Sequence, residues 1–399
     1  MAKATVALVR CEDYEYSLVR AAVKRCLDQV EGLDSLLAGA RTVLLKPNLL
    51  SHTRGPEWPV NTHPHVVRAV GEYILEHGCR IQIGDSCGHV GATEEAFTVS
   101  RLREVAADLG AELVSFDRAP CTPLPQVLGR FAPPVSITDA VRSADLVFNL
   151  PKLKTHSLTF FTGAIKNMFG TIPGKGKKLL HRFAPKPLAL ARAAVDVFEA
   201  VRPQVVLIDG IVAMEGPGPN RGTARKVGVL IASRDNVAAD AIACAIVGFR
   251  RQDVPMLGIA AKCGLGVDRF NEIAVVGENL KELQVADFRK PFGPAQVAAF
   301  ALAPEALLQL AMWLPTSARA HVDDSRCVRC GRCLASCPPR ALYLHRGRIA
   351  CRAGRCIQCY CCEEICDHDA VQVREAWYVR APRRLWRAWR ALQPRQQGS

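Results

Sequence analysis

Ten cysteines lie between Cys327 and Cys366 of this 399-residue chain, and eight of them repeat one spacing twice. Cys327, Cys330, Cys333 and Cys337 read C-x-x-C-x-x-C-x-x-x-C and are followed by Pro338; Cys356, Cys359, Cys362 and Cys366 read it again 29 residues later. Three thiolates on one tight loop can grip three irons of a cubane while backbone N–H groups of that loop point at its sulfurs, and the fourth ligand comes from the other copy. The spacing therefore predicts two [4Fe–4S] clusters, one on Cys327, Cys330, Cys333 and Cys366, the other on Cys356, Cys359, Cys362 and Cys337. Paired zinc sites also use C-x-x-C, but each half here offers a third evenly spaced thiol that zinc does not need. A disulfide scaffold belongs to short secreted chains. Met1 to Asp13 carry no cationic stretch followed by an apolar run, so the expected location is cytoplasmic.

The segment Ala341–Ala350, with a turn at Arg346-Gly347, reads as the hairpin joining the two halves. The region as a whole resembles a bacterial two-cluster ferredoxin. It departs from that pattern at Asp367, where a proline usually follows the fourth cysteine, and at the extra thiols Cys351 and Cys361. Arg329, Arg332, Arg348, Arg352 and Arg355 stand close in sequence to the ligands and should favour the more negative, reduced state. The seven remaining cysteines (Cys11, Cys26, Cys79, Cys87, Cys121, Cys244, Cys263) are scattered and read as buried reduced thiols.

Of the net charge of +14, about half falls after His321, where 15 arginines face 7 acidic residues and no lysine. Such a surface suits an acidic electron carrier of the ferredoxin or flavodoxin type, although charge alone attracts nucleic acid and membranes as well. The tail after Tyr378, rich in Arg and Trp, offers a membrane surface a place to bind, or packs on the protein itself.

Upstream, short β-branched runs alternate with amphipathic stretches. Strands are expected at Val6–Val9, Thr42–Lys46, Arg80–Gly84, Glu112–Phe116, Leu146–Asn149, Val205–Asp209, Val227–Ala232 and Ile273–Val276. Helices are expected at Pro64–His77, Glu94–Leu109, Pro187–Ala200 and Val237–Val247. The alternation predicts an α/β domain with a mainly parallel sheet over residues 1–288. An Ala/Leu-rich helical connector (289–320), a small ferredoxin-like α+β module (321–377) and the tail (378–399) follow. In such sheets ligands gather outside the carboxyl ends of the strands. Lys46-Pro47-Asn48, Gly84-Asp85-Ser86, Asn149 to Lys152 and Asp209-Gly210 all sit at such ends and predict one shared site.

The chain carries 38 arginines and only 14 lysines, yet six of those lysines fall between Lys152 and Lys178. Lysine offers a point-charge donor or an amine that deprotonates when buried, which arginine does not. A small anionic substrate or cofactor fits Lys46, Asn48, Lys152, Lys154, His181, Asp209 and Glu215, with Lys166, His156 and Asp85 as catalytic candidates. Each has a plainer reading: a solvated cationic loop for the lysines, a core histidine for His156, turn caps for the carboxylates. Few aromatic residues accompany the lysines, which argues against nucleic acid. Gly170 to Lys178 lacks the phosphate-loop spacing, and Gly216 to Gly222 is no dinucleotide fingerprint.

Lys46-Pro47-Asn48, Thr62-His63-Pro64, Gly84-Asp85-Ser86, the Pro151-to-Gly170 segment, Asp209-Gly210, Met214-Glu215-Gly216-Pro217 and Asp240 after Asn236-Val237-Ala238 together resemble the family called domain of unknown function 362. Members often carry the same C-terminal module, so the resemblance implies an iron–sulfur protein with an α/β domain. More remotely, Asp145 through His156 to Pro173 resembles the segment of nickel-dependent lactate racemase that holds its pincer cofactor. That likeness implies that Lys166 and His181 line a pocket. The leading expectation is an oxidoreductase in which the module delivers electrons to a substrate or cofactor in the α/β cleft. The rivals are a non-catalytic electron carrier or maturation partner, and non-redox catalysis in a lactate-racemase-like cleft.

Overall fold

The computed structural model describes residues 3–124, 134–184, 186–291 and 319–374. The expected connector from residue 292 to 318 and the Arg/Trp-rich tail lie outside the described residues. By its contacts the chain divides into two compact units, Met1–Ala301 and Leu302–Ser399. Among the described residues no helix is long and apolar enough to cross a membrane.

Among its described residues the first unit has twelve strands: β1 (Ala4–Arg10), β2 (Thr42–Pro47), β3 (Arg80–Asp85), β4 (Glu112–Ser115), β5 (Cys121–Leu124), β6 (Val135–Thr138), β7 (Leu146–Leu150), β8 (Lys152–His156), β9 (Phe160–Thr162), β10 (Val205–Glu215), β11 (Thr223–Ser233) and β12 (Ile273–Gly277). Ten of them form one mixed sheet in the order β12-β1-β11-β10-β7-β2-β3-β4, with β8 joining β10 to β9. Pairing is parallel except where β11 meets β1 and β10 and where β9 meets β8. Two successive antiparallel steps leave β1 running in the same direction as β10. Hence the carboxyl ends of β1, β2, β3, β7 and β10 point the same way, and strand-end residues collect along one edge.

Helices follow the apolar period. In Pro64–Glu76, Pro64 occupies the first turn, and Val66, Val67, Val70, Tyr73 and Ile74 face the core. The helix Asn236–Ile246 is buried almost all round; Asp235 caps it by accepting from the Val237 and Ala238 N–H groups at 2.9 Å. The expected helix Glu94–Leu109 is in fact two, Thr93–Val99 and Leu102–Asp108. The Ser100 hydroxyl donates back to the Ala96 carbonyl at 2.7 Å, and Arg101 then turns left-handed at φ 59°. A second departure is β8. Lys152, Lys154 and His156 alternate along it onto one face, and all three are buried, which overturns the solvated-loop reading for those two lysines. Of the scattered cysteines, Cys121 is exposed and Cys263 half-buried rather than sequestered.

The second unit adds β13 (Arg319–Val322), β14 (Leu342–His345), β15 (Arg348–Cys351) and β16 (Val371–Arg374), paired β13-β16 and β14-β15, both antiparallel. Arg346 and Gly347 have φ 47° and 75°, the two left-handed residues that a tight hairpin turn requires. A small core of Ala320, Leu342, Ile349, Ile365 and Val371 packs with Cys333 and Cys362. The chain thus carries an α/β sheet domain and a small ferredoxin-like module, as the alternation and the cysteine spacing predict.

Candidate functional site

A cavity of about 370 Å³ in the first unit is lined by Tyr14, Glu57, His63, Arg101, Lys152 and Val212, among others. Its floor is a buried ion pair: Lys152 Nζ lies 2.8 Å from Asp209 Oδ2, with both side chains almost wholly excluded from solvent. Asp209 also accepts from the Tyr14 hydroxyl at 2.7 Å, the His63 N–H at 3.0 Å and the Ile211 N–H at 3.3 Å. Lys152 Nζ in turn donates to the Tyr14 oxygen. Burial drives the Tyr14 hydroxyl well above its ordinary range and Asp209 adds to the shift, so Tyr14 keeps its proton. Burial also lowers Lys152, opposed by the attraction of Asp209.

The His63 ring stacks on Tyr14, centroids 3.7 Å apart and 11° from parallel. Burial pushes it down to about 3, and its Nδ1 accepts from the His65 N–H at 3.2 Å. The neutral ring therefore carries its hydrogen on Nε2. The site thus combines an ammonium, a guanidinium, an imidazole N–H and a phenol in one recess. Arg101 reaches the lining from the left-handed break between the helices Thr93–Val99 and Leu102–Asp108.

Two further buried arrangements flank this floor. Lys46 Nζ meets Asp85 Oδ1 at 2.8 Å with essentially no exposure of either side chain. Asp85 also accepts from the Leu49 N–H at 2.8 Å and the Ser86 N–H at 2.7 Å. A Cβ on Gly170 would lie 2.3 Å from Asp85 Oδ1 and 2.5 Å from Lys46 Nζ, so only glycine fits over the pair. Lys154 Nζ donates to Asn48 Oδ1 at 3.1 Å and to the Val60 carbonyl at 2.8 Å, pinning the segment that leads to His63.

Farther along β8, His156, Lys166 and His181 come together. Lys166 Nζ sits 3.9 Å from the centroid of Phe169, and the His181 ring meets the same ring edge-on at 5.9 Å. Burial first, then the positive charge of Lys166, holds His156 well below its ordinary range and His181 at about 3. Both are neutral imidazoles at pH 7. Glu215 accepts from the Arg289 N–H at 2.9 Å and its guanidinium at 2.7 Å.

The expected residues therefore fall into separate groups along the strand ends: Lys152 with Asp209, Lys46 with Asp85, Lys154 with Asn48, His156 with Lys166 and His181, and Glu215 with Arg289. Tyr14, His63 and Arg101 were not among the sequence candidates. Strand-end reasoning applied to β1 points to the segment holding Tyr14, and the quoted Thr62-His63-Pro64 contains His63. Nothing in the periodicity signals Arg101.

Asp240 supports this edge from behind. Its carboxylate accepts from the Ala164 N–H at 2.6 Å and the Ile165 N–H at 3.0 Å, and a Cβ on Gly163 would lie 2.0 Å from its Oδ1. Burial raises its pKa to about 7 despite those two bonds. A carboxyl raised in this way stabilises the fold while protonated, and that contribution fades as pH rises toward and through 7. Between pH 5 and pH 8 the stability of Asp240→Asn relative to the parent should rise by about 2–3 kcal/mol. Denaturant midpoints of both proteins across that range will check it.

In the second unit, one cavity is lined by Cys327, Cys330, Cys333 and Cys366, and another by Cys337, Cys356, Cys359 and Cys362 together with Cys351. The Ala341 N–H donates to Cys337 Sγ at 3.1 Å, and the Ala370 N–H donates to Cys366 Sγ at 3.3 Å. Left-handed residues recur at the repeat spacing: Arg329 and Gln358, Gly331 and Tyr360, Arg340 and Asp369. Asp367 pairs with Arg332, which ties the end of the second motif to the first and explains a charged residue in the usual proline position. Arg348 pairs with Asp324 at 3.4 Å, and Arg352 lies over the Tyr343 ring. Three of the five nearby guanidiniums are thus engaged within the module.

A family model described as Domain of unknown function (DUF362) matches residues 43–245, just over half of the chain. The chain belongs to this family. This DUF362 chain is also 32% identical over 294 residues to thylakoid-associated protein sll1697 of Synechocystis, a match covering 72% of this chain and 88% of the relative. A second model, described as a 4Fe-4S binding domain, matches residues 320–343. Among solved structures, the lactate racemase apoprotein of Thermoanaerobacterium thermosaccharolyticum matches with a TM-score of 0.40 and 14% identity, over 61% of this chain and 56% of that one.

Proposed function

We propose that this DUF362 protein is an electron-transferring oxidoreductase with two [4Fe–4S] clusters, acting on a small anionic substrate or cofactor held over Lys152. The observation that carries the reading is the 29-residue repeat of the module: equal cysteine spacing, equal left-handed positions and two cavities, each lined by three cysteines of one motif and the last of the other. Each cavity takes its fourth thiol from the other motif. The N–H groups of Ala341 and Ala370, aimed at equivalent sulfurs, suit thiolates that carry negative charge onto iron. When bound, each cluster supplies a one-electron couple.

The chain's own residues do the rest. Lys152 and Arg101 offer positive charge to a carboxylate or similar oxyanion, His63 Nε2–H adds a donor, and Tyr14 holds a proton between the cavity and Asp209. The closed floor keeps water from the ion pair, which strengthens every polar contact made there.

Anaerobically reconstituted protein should contain about eight irons and about eight sulfides per chain and bleach reversibly with dithionite. About two zinc ions per chain with no inorganic sulfide would overturn the reading.

A further inference from the structure

Beyond the end of β3 the chain turns through Cys87-Gly88-His89 and packs on the segment from Leu50 to His52. A Cβ on Gly88 would lie 2.5 Å from Leu50 Cδ1 and 3.0 Å from the Leu50 carbonyl oxygen, so glycine is what lets the two segments close on one another. The ligand-capable atoms of His52, Cys87 and His89 all lie within 4.8 Å of one another, and all three side chains are buried. The two imidazole rings are 4.2 Å apart. Their scaffold is fixed from several sides. The Cys87 N–H donates to the Thr93 hydroxyl at 3.0 Å, the Cys87 carbonyl accepts from Lys177 Nζ at 2.8 Å, and Cys87 Sγ lies 3.1 Å from the Leu50 carbonyl.

We propose that His52, Cys87 and His89 form a zinc site in the α/β unit, separate from the cysteine module and from the Lys152 pocket. Two imidazole nitrogens and one thiolate are a borderline-soft donor set suited to zinc, and unsuited to magnesium or calcium, which require oxygen. With Zn–N of about 2.0 Å and Zn–S of about 2.3 Å, tetrahedral ligand atoms stand roughly 3.3–3.5 Å apart. Side-chain rotation within the present cluster closes that gap. The fourth position opens toward Glu95, whose Oε2 lies 3.9 Å from His52 Nε2 and whose side chain is 62% exposed. A water ordered by Glu95, or the carboxylate itself, completes the tetrahedron. On zinc binding the Cys87 sulfur loses its proton to solvent and exchanges its contact with the Leu50 carbonyl for the metal; no oxidation change is involved.

The test uses the full chain with its iron already loaded anaerobically. Equilibrium dialysis against buffered Zn²⁺ should find one zinc per chain beyond the iron. Cys87→Ser and His89→Gln should each weaken that binding at least tenfold and leave iron and sulfide unchanged. Co²⁺ in place of zinc should give a thiolate-to-cobalt charge-transfer band in the parent that Cys87→Ser abolishes. If Cys87→Ser does not fold, His89→Gln, at the most accessible of the three positions, decides alone. No zinc beyond the iron, or zinc bound equally by the parent and the folded variants, would sink the proposal.

Discussion

Replacing Lys152 by methionine should destabilise the α/β unit by about 3–5 kcal/mol, because it strands the Asp209 carboxylate in a site without solvent. Loss of the cation alone would weaken a surface pair by no more than about 1 kcal/mol, so the size of the effect distinguishes a buried pair from an exposed one. The double substitution Lys152→Met with Asp209→Asn should recover most of that stability. An asparagine there can still accept from the His63 N–H and donate to the Tyr14 oxygen. Affinity for small carboxylates should nevertheless stay lost in the double variant, since the positive charge at the cavity floor is gone. Chemical denaturation, read alongside calorimetric binding, separates the two roles. A single variant as stable as the parent would mean that the pair is not buried in solution.

Substituting one cysteine of the module should cost one cluster, and which cluster it costs reports the crossing of the ligands. Cys337→Ser should reduce iron from about eight to about four per chain and remove the cluster whose other ligands are Cys356, Cys359 and Cys362. Cys366→Ser should remove the cluster on Cys327, Cys330 and Cys333. The two remaining clusters then differ in their surroundings: Cys351 lines one cavity, and Arg329 and Arg332 line the other. Their electron paramagnetic resonance signals after reduction should therefore differ between the variants. Identical signals from both, or loss of all iron from either, would reject crossed ligation between two independent sites.

Much of this architecture was legible from the residues because it rests on regular periods. Strands of alternating or continuous apolar residues and helices with an apolar stripe each bury a predictable face. The cysteine repeat constrains its loop chemically. Lys46, Asp85 and Asp209 stand out in the sequence as polar residues at strand ends, and the structure buries each of them in an ion pair. What escaped the sequence depends on contacts between distant segments. The polar run Lys152 to His156 reads as a loop, and the company of Asp209, Tyr14, Asn48 and the Val60 carbonyl makes burial of its lysines tolerable. Arg101, which lines the cavity, sits at a helix break that no window average detects. The single cleft expected for all the strand-end groups resolves into neighbouring clusters because each long side chain finds its own nearest partner.

Asp209 draws hydrogen bonds from residues 14, 63, 152 and 211, so the floor of the cavity is assembled from four stretches of chain that are far apart in sequence. No contiguous fragment ending before β10 can build it, however well its own strands pair. A polypeptide emerging from the ribosome acquires this recess only after more than half of its length has been made. Until then Lys152, Tyr14 and the His63 N–H wait for a shared acceptor that has not yet been synthesised.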